Sequence, residues 1–291
     1  MNLVIRPIEY SDAESCGKIG YEAHKAISSA HGYPSEQPSE DFGIGLIKSL
    51  LDNPNSWGVL ADRQGEILGS IFLHEFPPSP VVVVGPLTVH PGAEGGGIGR
   101  MLMNAALTQA NKQNHDQVRL VQSPSHIRSF VLYTKCGFTL REPLFLMQRQ
   151  PLKKSDNNTS STNVRIVNDD KDVSVCNGFC KLVYGFSREM ELRQAKHQGI
   201  ATMIEREGVI TGYAAGIGIL NHAIAKSNEE LKALIANAAT ILGPGFFVPA
   251  RNYELIIWLL ENGFQIGWPA NLMTIGPYQE PLTPFLPSLA Y

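Results

Sequence analysis

Four of the six residues from Glu94 to Gly99 are glycines, and this segment has the most evident capacity for chemistry. A β-branched run that begins at Val81 precedes it, and apolar residues at helical spacing follow it. Glycine lets the backbone adopt positive φ and approach a ligand closely. The first amides of a helix have no partner within the helix, and the helix dipole favours an anion there. The segment predicts a pyrophosphate site, although a flexible turn would give the same pattern.

The glycine segment does not fit two familiar nucleotide sites. No Gly-Lys-Ser/Thr ends it, so the lysine and the magnesium ligand of a triphosphate site are missing. A dinucleotide site needs an acidic residue about twenty residues further on, at the end of a strand. Asp116 lies near that distance but precedes the next strand, which makes that interpretation weak.

Two segments together resemble a known family. Glu94-x-x-Gly97-x-Gly99 is similar to the Gln/Arg-x-x-Gly-x-Gly/Ala acetyl-CoA loop of the GNAT superfamily of N-acetyltransferases, with Glu94 in place of Gln or Arg. The segment His126-Ile-Arg-Ser-Phe-Val-Leu-Tyr133-Thr-Lys-Cys-Gly137-Phe138 is similar to the family's Asn-x-x-Ala/Ser-x-x-x-Tyr-x-x-x-Gly-Phe helix. The two signatures occur in the family's order, joined by a helix and the strand Val118–Gln122, so a chance match of both is improbable.

The resemblance implies acetyl-CoA as co-substrate and a set of residues that bind it. In the family, the strand before the loop separates from its neighbour, and its free backbone groups pair with the pantetheine arm like an added strand. The side chain of His126 either contacts the pantetheine or caps its helix. The expected cofactor-binding residues are Leu87, Thr88, Val89, Glu94, Gly95, Gly96, Gly97, Ile98, Gly99, Arg100, His126 and Ser129.

Tyr133 is the expected proton donor to the departing sulfur of coenzyme A. A phenol with a pKa of about 10 is protonated at neutral pH, and a thiolate has a pKa of about 8.5. Periodicity alone would favour a core tyrosine on an amphipathic helix, but the resemblance of the surrounding residues favours the catalytic role. Ser129 lies one turn earlier on the same helical face.

The general base stays open at this point. Glu75 and Tyr133 are the expected catalytic residues, although His74 is adjacent to Glu75 on the opposite face of the same strand and is a further candidate for the base. A water chain would also serve, and an α-amine would need less help than a lysine. The other candidates are His24, His31 and Glu36 near the expected acceptor wall, and Arg251 and His222 in the second half.

Composition describes a globular chain and excludes several classes of function. The 291 residues are 43% hydrophobic and 18% charged, with a formal net charge of −3, which gives no basic surface for nucleic acid. No run approaches eighteen apolar residues, and the first residues lack a signal peptide's features, so a cytoplasmic protein without a membrane partner is expected. Cys176 and Cys180 share a helical face but lack further zinc ligands at the usual spacing, so we expect buried thiols and no metal.

Periodicity places the glycine loop within an α/β domain at residues 1–150. A Ser11-x-x-Glu14 capping box predicts the first helix, and a hairpin is expected around 62–65. The further expected elements are a first strand at 3–7, helices at 41–51 and 125–136, and strands at 57–61, 67–76, 138–141 and 144–150. The resemblance implies a mixed, mostly antiparallel sheet flanked by helices.

Residues 164–291 repeat the first domain weakly, after a polar linker at 151–163. Asn2–Ile5 matches Asn163–Ile166, and Gly137-Phe138 matches Gly263-Phe264. The second copy has no glycines in the segment matched to the loop, Leu220–Ala225, and Leu259 takes the place of Tyr133. We therefore expect two tandem GNAT-like domains, the second degenerate and either structural or substrate-shaping, as in mycothiol-synthase-type acetyltransferases, which the arrangement resembles.

These observations predict an acetyl-CoA-dependent N-acetyltransferase that acts on the amine of a small molecule. Two alternatives remain: a non-catalytic sensor that binds acyl-CoA, and a protein N-acetyltransferase. The expected state of assembly is a monomer or a homodimer.

Overall fold

Residues 3–33, 35, 37–149 and 164–289 are described by the computed structural model, and they separate into two units. The first unit contains Met1–Glu75, Val81–Thr139 and Met273–Gly276, and the second contains Phe76–Pro80, Leu140–Leu272 and Pro277–Tyr291. The boundary thus falls about ten residues before the position expected from sequence, and a short C-terminal segment returns to the first unit. The linker predicted at 151–163 lies outside the described residues.

The first unit is a sheet with helices on both faces. Its strands stand in the order β1-β2-β3-β4-β5, followed by the end of β12. The ladders from β1 to β4 are antiparallel, and β4 pairs with β5 in parallel. Its elements are β1 (Leu3–Pro7), α1 (Ala13–His31), α2 (Glu40–Asp52), β2 (Ser56–Arg63), β3 (Glu66–Glu75), β4 (Val81–Val89), α3 (Ile98–Lys112), β5 (Gln117–Gln122) and α4 (Ile127–Lys135).

Alternation along β3 divides the core of this unit between the two faces of the sheet. Ile71 and Leu73 are buried in a cluster with residues of α3, including Leu102. Phe72 is buried on the other face, against Cys16 of α1 and residues of α2. Because successive side chains of a strand point to opposite faces, His74 lies on the same side as Phe72, the α1–α2 side.

The first helix begins differently from the capping box expected at Ser11. A 3-10 turn spans Tyr10–Asp12, and α1 starts at Ala13. The carboxylate of Asp12 accepts a hydrogen bond from the amide of Glu9 at 2.8 Å and pairs with Arg6 at 2.7 Å. Asp12 thereby organises the start of the helix, whereas Glu14, the expected partner of Ser11, pairs with Lys18 at 2.6 Å.

The second unit contains the strand that follows α4 and all later elements except the end of β12. β6 is one continuous strand, although two strands were expected on either side of Pro143. The backbone continues through this proline, whose carbonyl accepts a hydrogen bond from the amide of Ala250. Its elements are β6 (Thr139–Gln148), β7 (Val164–Ile166), α5 (Asp170–Tyr184), α6 (Glu189–His197), β8 (Thr202–Arg206), β9 (Val209–Ala214), β10 (Ala223–Ala225), α7 (Asn228–Ala236), β11 (Phe246–Pro249), α8 (Tyr253–Glu261), β12 (Gln265–Ile275) and β13 (Phe285–Leu286).

Strands of the second unit belong to two groups. A five-stranded sheet has the order β13-β10-β9-β8-β7, and β6 pairs antiparallel with β11. None of the described helices has the length and apolarity needed to cross a bilayer.

The order of elements from β7 to β12 repeats the order from β1 to β6. An ion pair is repeated with it: Arg6 binds Asp12 at 2.7 Å, and Arg165 binds Asp172 at 2.7 Å. In each case the arginine lies on the opening strand and the aspartate lies near the start of the following helix. The match of Asn2–Ile5 with Asn163–Ile166 is therefore displaced by two residues from the structural equivalence, which aligns Arg6 with Arg165.

Candidate active site

The ladder between β4 and β5 ends while both strands continue. The parallel pairs run from Val81↔Gln117 to Val83↔Arg119. β4 extends to Val89 and β5 to Gln122, so among the described residues the β5-facing edge of β4 has no ladder partner on β5 beyond Val83. An unpaired strand edge presents backbone donors and acceptors to an extended ligand. This geometry fits the expectation that the backbone from Leu87 to Val89 meets the pantetheine arm.

A bulge in β4 lies where the two strands separate. Ile71 stands opposite Leu87 and Leu73 stands opposite Val84, so a two-residue step on β3 faces a three-residue step on β4. Gly85 within the bulge has φ +144°, a conformation that L side chains rarely adopt. Bulges re-aim backbone groups and often lie next to active sites.

The imidazole of His74 contacts this bulge. Its Nε2 lies 2.5 Å from the carbonyl oxygen of Gly85, and its Nδ1 lies 2.8 Å from Oγ of Ser56. A carbonyl only accepts, so Nε2 carries the proton and Nδ1 accepts from the serine hydroxyl. The ring stacks parallel to Phe72, and burial lowers the pKa of His74 below its usual value. The side chain is a neutral imidazole with a hydrogen bond at each ring nitrogen.

The glycine loop leads into α3 without a side-chain cap. Gly95 and Gly97 have φ of +83° and +82°, and no heavy atom lies within 4 Å of a Cβ built on either one. Gly97 is the N-cap residue, and within the described part of the chain no side chain caps the start of α3. The first amides of a helix and the positive end of its dipole favour an anion. That an anion binds here stays a prediction.

Gly99 is a glycine for a different reason. It lies in the first turn of α3 with an ordinary helical φ, but a Cβ at this position would stand 3.2 Å from Cδ2 of Leu132 and 3.8 Å from Cγ2 of Val89. The small residue therefore allows α3 to approach α4 and β4 closely. Ile98 beside it is buried in the core.

Glu94, the departure from the family pattern, is paired with a cation. Its Oε2 lies 2.7 Å from Nη1 of Arg128, in the first turn of α4. The ion pair joins the loop before α3 to the neighbouring helix, and both residues are exposed. Arg100, also exposed, follows the loop in the first turn of α3.

The start of α4 is held by backbone and amide contacts. His126 occupies the N-cap position, but its side chain does not cap the helix. Its contact with the pantetheine stays a prediction. Oγ of Ser129 donates to the carbonyl of His126 at 2.8 Å and accepts from Nε2 of Gln122 at 3.1 Å. Burial lowers the pKa of His126, so its imidazole is neutral at physiological pH.

Tyr133 lies on the face of α4 that packs against the α3 side of the core. Its ring is half-buried, with its centroid 6.0 Å from that of Phe138 in a tilted arrangement. Burial raises the pKa of Tyr133 well above its usual value, because a phenolate would be poorly solvated there. The hydroxyl is therefore protonated, as a proton donor must be.

The structure places Glu75 at the opposite end of β4 from the glycine loop. It stands opposite Val82, within the stretch where β4 and β5 are still paired, and its carboxylate lies 3.8 Å from Nε2 of His115. The catalytic role of Glu75 stays a prediction. His24 and His31 lie on α1. Glu36 lies outside the described residues.

Arg251 and His222 are engaged within the second unit. Arg251 binds Glu142 at 2.8 Å and the carbonyl of Pro281 at 2.7 Å. His222 is fully buried, with Nε2 2.8 Å from the hydroxyl of Tyr213.

The helix of the second unit that corresponds to α3 is capped. Only Lys226 and Ser227 separate β10 from α7, because Ala223–Ala225, matched by sequence to the glycine loop, belongs to the strand. Ser227 accepts from the amide of Glu230 and Glu230 accepts from that of Ser227, which makes a capping box. The amides that would meet an anion are occupied by side chains. Leu259, in the position of Tyr133, is buried.

The cysteines Cys176 and Cys180 are both buried, in agreement with their sequence interpretation as packed thiols. Burial raises the pKa of Cys176 to about 12 and that of Cys180 to about 11. Within the described ranges, no cluster of three His, Cys, Asp or Glu side chains is placed to hold a metal ion.

Three polar residues of the site were missed by sequence reasoning: Ser56, Gln122 and Arg128. Arg128 lies inside the second signature but at one of its variable positions, so nothing in that signature marks it. Ser56 and Gln122 lie outside both signatures, and only the strand register and the start of α4 bring them to His74 and Ser129.

Comparison with known proteins finds similarity to one family over part of the first unit. Residues 21–138 match the family model described as the Acetyltransferase (GNAT) family. Two curated relatives named mycothiol acetyltransferase share part of the chain. The Beutenbergia cavernae protein is 32% identical over 100 residues, which is 34% of this chain and 33% of that protein. The Amycolatopsis mediterranei protein is 33% identical over 93 residues, 28% and 30% of the two chains. The match thus spans about a third of either relative's length.

Solved structures share the fold over nearly the whole chain. A Pyrococcus horikoshii protein superposes with a TM-score of 0.68 and 19% identity, over 94% of this chain and 89% of that one. A GCN5-related N-acetyltransferase from Sphaerobacter thermophilus gives a TM-score of 0.67 at 12% identity, over 96% and 97% of the two chains. At such identities the likeness shows the fold alone, and it confirms the expected class of mixed sheets flanked by helices.

Proposed function

Because residues 21–138 match the GNAT acetyltransferase family model, we propose that the protein transfers the acetyl group of acetyl-CoA to the amine of a small molecule. The observation that carries the proposal is the uncapped start of α3 beside the unpaired edge of β4. The first feature suits a diphosphate and the second suits an extended polyamide arm. The edge of β4 and the start of α3 follow each other along the chain, as the pantetheine arm and the diphosphate follow each other along coenzyme A.

The proposed residues for the donor follow from these positions. The backbone of Leu87, Thr88 and Val89 would pair with the pantetheine, and the amides from Gly95 to Arg100 would meet the pyrophosphate. His126 and Ser129 at the start of α4 complete the set on the other wall. The proposed site includes no metal: the amides at the start of α3 would meet the pyrophosphate, while Arg128 offsets the charge of Glu94.

The chemical step needs a neutral amine and a stabilised leaving group. The amine nitrogen attacks the thioester carbonyl carbon, a tetrahedral intermediate forms, and the carbon–sulfur bond breaks to give the amide and a thiolate. The protonated hydroxyl of Tyr133 would donate to that sulfur. The attacking nitrogen loses a proton to water or to a base, and Glu75 is the proposed base. The effect of a Glu75 substitution on turnover tests this role.

The second unit would be structural or substrate-shaping. Ser227 and Glu230 cap α7, and Leu259 takes the position of the donor tyrosine, so it lacks both features of the first unit. As further parts of the proposal, the chain works in the cytoplasm as a monomer or homodimer and binds no nucleic acid or membrane. The net charge of −3 supports the absence of a nucleic-acid partner.

Release of free thiol from acetyl-CoA, measured against a panel of small amines, tests the proposal. Turnover with at least one amine, lost in Tyr133→Phe, is the expected result. Tight acetyl-CoA binding without turnover on any amine would instead indicate a sensor. Acetylated polypeptides in a lysate, with small amines inert, would indicate a protein acetyltransferase.

A further inference from the structure

We propose that His74 is a positioning residue that holds the bulge of β4 in the shape that receives the pantetheine arm, with Ser56 fixing the tautomer of its ring. This inference rests on the proposed acetyl-CoA site. It assigns to His74 a role different from that of the general base.

The contacts of His74 form a closed chain of hydrogen bonds. The hydroxyl of Ser56 donates to Nδ1 over 2.8 Å, and Nε2–H donates to the carbonyl of Gly85 over 2.5 Å. Ser56 lies on β2 and Gly85 lies on β4, and these two strands are the neighbours of β3, which carries His74. One side chain thus ties three adjacent strands together at the point where β4 and β5 separate.

The bulge needs such a tie because its own backbone does not define it. Gly85 has no side chain, has φ +144°, and has no heavy atom within 4 Å of a Cβ position. The β5 ladder has already ended at Val83, so that strand does not hold the Gly85 carbonyl. Glycine tolerates positive φ, and Pro86, which follows it, has no amide hydrogen to pair with a neighbouring strand. The imidazole selects the orientation in which the carbonyl of Gly85 faces the α1–α2 side.

The same contacts argue against His74 as the base. A base needs a free lone pair directed at the amine. Nε2 holds its proton for the carbonyl of Gly85, and the lone pair of Nδ1 is occupied by the hydroxyl of Ser56. Burial also keeps the pKa of His74 low, so the ring stays neutral and does not gain charge at neutral pH.

The orientation of Gly85 determines where the free edge of β4 begins. The backbone from Leu87 to Val89 follows within two residues, and its amides are aligned only if the bulge is fixed. Loss of the His74 contact should therefore misplace the pantetheine and the thioester, while the pyrophosphate loop beyond His90 keeps its shape.

Two substitutions separate positioning from proton transfer. His74→Gln places an amide nitrogen where Nε2 lies and keeps a donor to Gly85, but it does not titrate. His74→Asn reaches only to the position of Nδ1 and loses that donor. We expect His74→Asn to bind acetyl-CoA about tenfold more weakly, the scale of one lost hydrogen bond, with a larger loss in kcat. His74→Gln should stay within about threefold of wild type on the same scale.

Calorimetry with 3′-phospho-ADP, which has the pyrophosphate but no pantetheine arm, is the control. All variants should bind it as wild type does, and unchanged thermal melting shows that they fold. Ser56→Ala should cause a smaller loss in acetyl-CoA binding, and no further loss in the His74→Gln background, because glutamine needs no tautomer fixed.

Several outcomes would overturn the inference. Equal loss of turnover in His74→Gln and His74→Asn, with acetyl-CoA binding unchanged in both, would make His74 a base. Wild-type behaviour of His74→Asn would leave no role for the contact. If wild-type protein binds 3′-phospho-ADP and acetyl-CoA but turns over no amine, the proposed function fails while the binding comparison still decides the role of His74. If wild type binds neither, both fail.

Discussion

A guanidinium nitrogen of Arg128 lies 2.7 Å from a carboxylate oxygen of Glu94, and this ion pair joins the start of α4 to the loop that opens α3. A carboxylate beside an anion site would repel a diphosphate. Arg128 offsets the negative charge of Glu94, which stands at the position where the family pattern has Gln or Arg. Glu94 and Arg128 should therefore be energetically coupled through the ligand.

We expect Arg128→Ala to weaken coenzyme A binding about two- to fivefold and Glu94→Gln to strengthen it about twofold, which is the range of exposed charge pairs. In the double variant, the loss should be smaller than the two single effects combined additively, because Glu94→Gln gains more affinity once no arginine compensates the carboxylate. Calorimetry at low and high salt checks this, since screening reduces both effects.

Arg193→Ala is the matched control for this cycle. Arg193 forms comparable surface ion pairs with Asp170 and Glu189 in the second unit. It should leave coenzyme A binding unchanged. Additive effects of the Glu94 and Arg128 substitutions would refute the coupling.

Gly97→Ala should weaken coenzyme A binding at least tenfold. The alanine would have to adopt φ +82°, which costs about 1–2 kcal/mol for an L-residue. Relief of that strain would turn the first amides of α3 away from the ligand. Gly208→Ala is the control, because Gly208 has φ +78° and equally open surroundings in the second unit. The two variants should lose similar stability in thermal melting, and only the first should lose binding.

Tyr133→Phe should lower kcat about a hundredfold, the lower end of general acid catalysis. Acetyl-CoA affinity should be retained, because phenylalanine keeps the ring contacts with Phe138. Burial raises the pKa of Tyr133, so its ionisation should not appear in the wild-type pH–rate profile below about pH 10. Tyr253→Phe, at an exposed position on α8, should behave as wild type in the thiol-release assay. Full activity of Tyr133→Phe would exclude this donor.

Stability should fall as the pH drops below about 6.5, the usual histidine pKa. His222 is buried beside Arg188 and Tyr213, and burial holds its folded-state pKa well below that value. In acid the unfolded chain therefore binds a proton that the folded chain refuses, which favours unfolding by up to about 1.4 kcal/mol per pH unit.

His222→Gln keeps a donor or acceptor for Tyr213 but does not titrate, so its melting temperature should depend less on pH between about 6.5 and 5. Carboxylates contribute in a separate, lower window: Arg165 lowers the pKa of Asp172 to about 2, so the stability from that pair is lost only in stronger acid. An unchanged pH dependence in His222→Gln would show that other histidines dominate.

The sequence by itself determined the parts of the protein that depend on local spacing. The strand, glycine loop and helix from Val81 onward, and the helix that presents Tyr133, follow from apolar periodicity and from the positive φ that Gly97 requires. The order of elements in both halves follows in the same way, because backbone hydrogen bonding within each element is local. These signals also predicted the class of ligand.

Tertiary structure decided what depends on residues far apart in the chain. Strand register brings Ser56, His74 and Gly85 into one chain of hydrogen bonds, and helix packing brings Arg128 to Glu94. Met273–Gly276 returns to the first unit through the end of β12, which moves the unit boundaries away from the polar segment. Such contacts leave no periodic trace, because a side-chain hydrogen bond between separate elements constrains only the residues that make it.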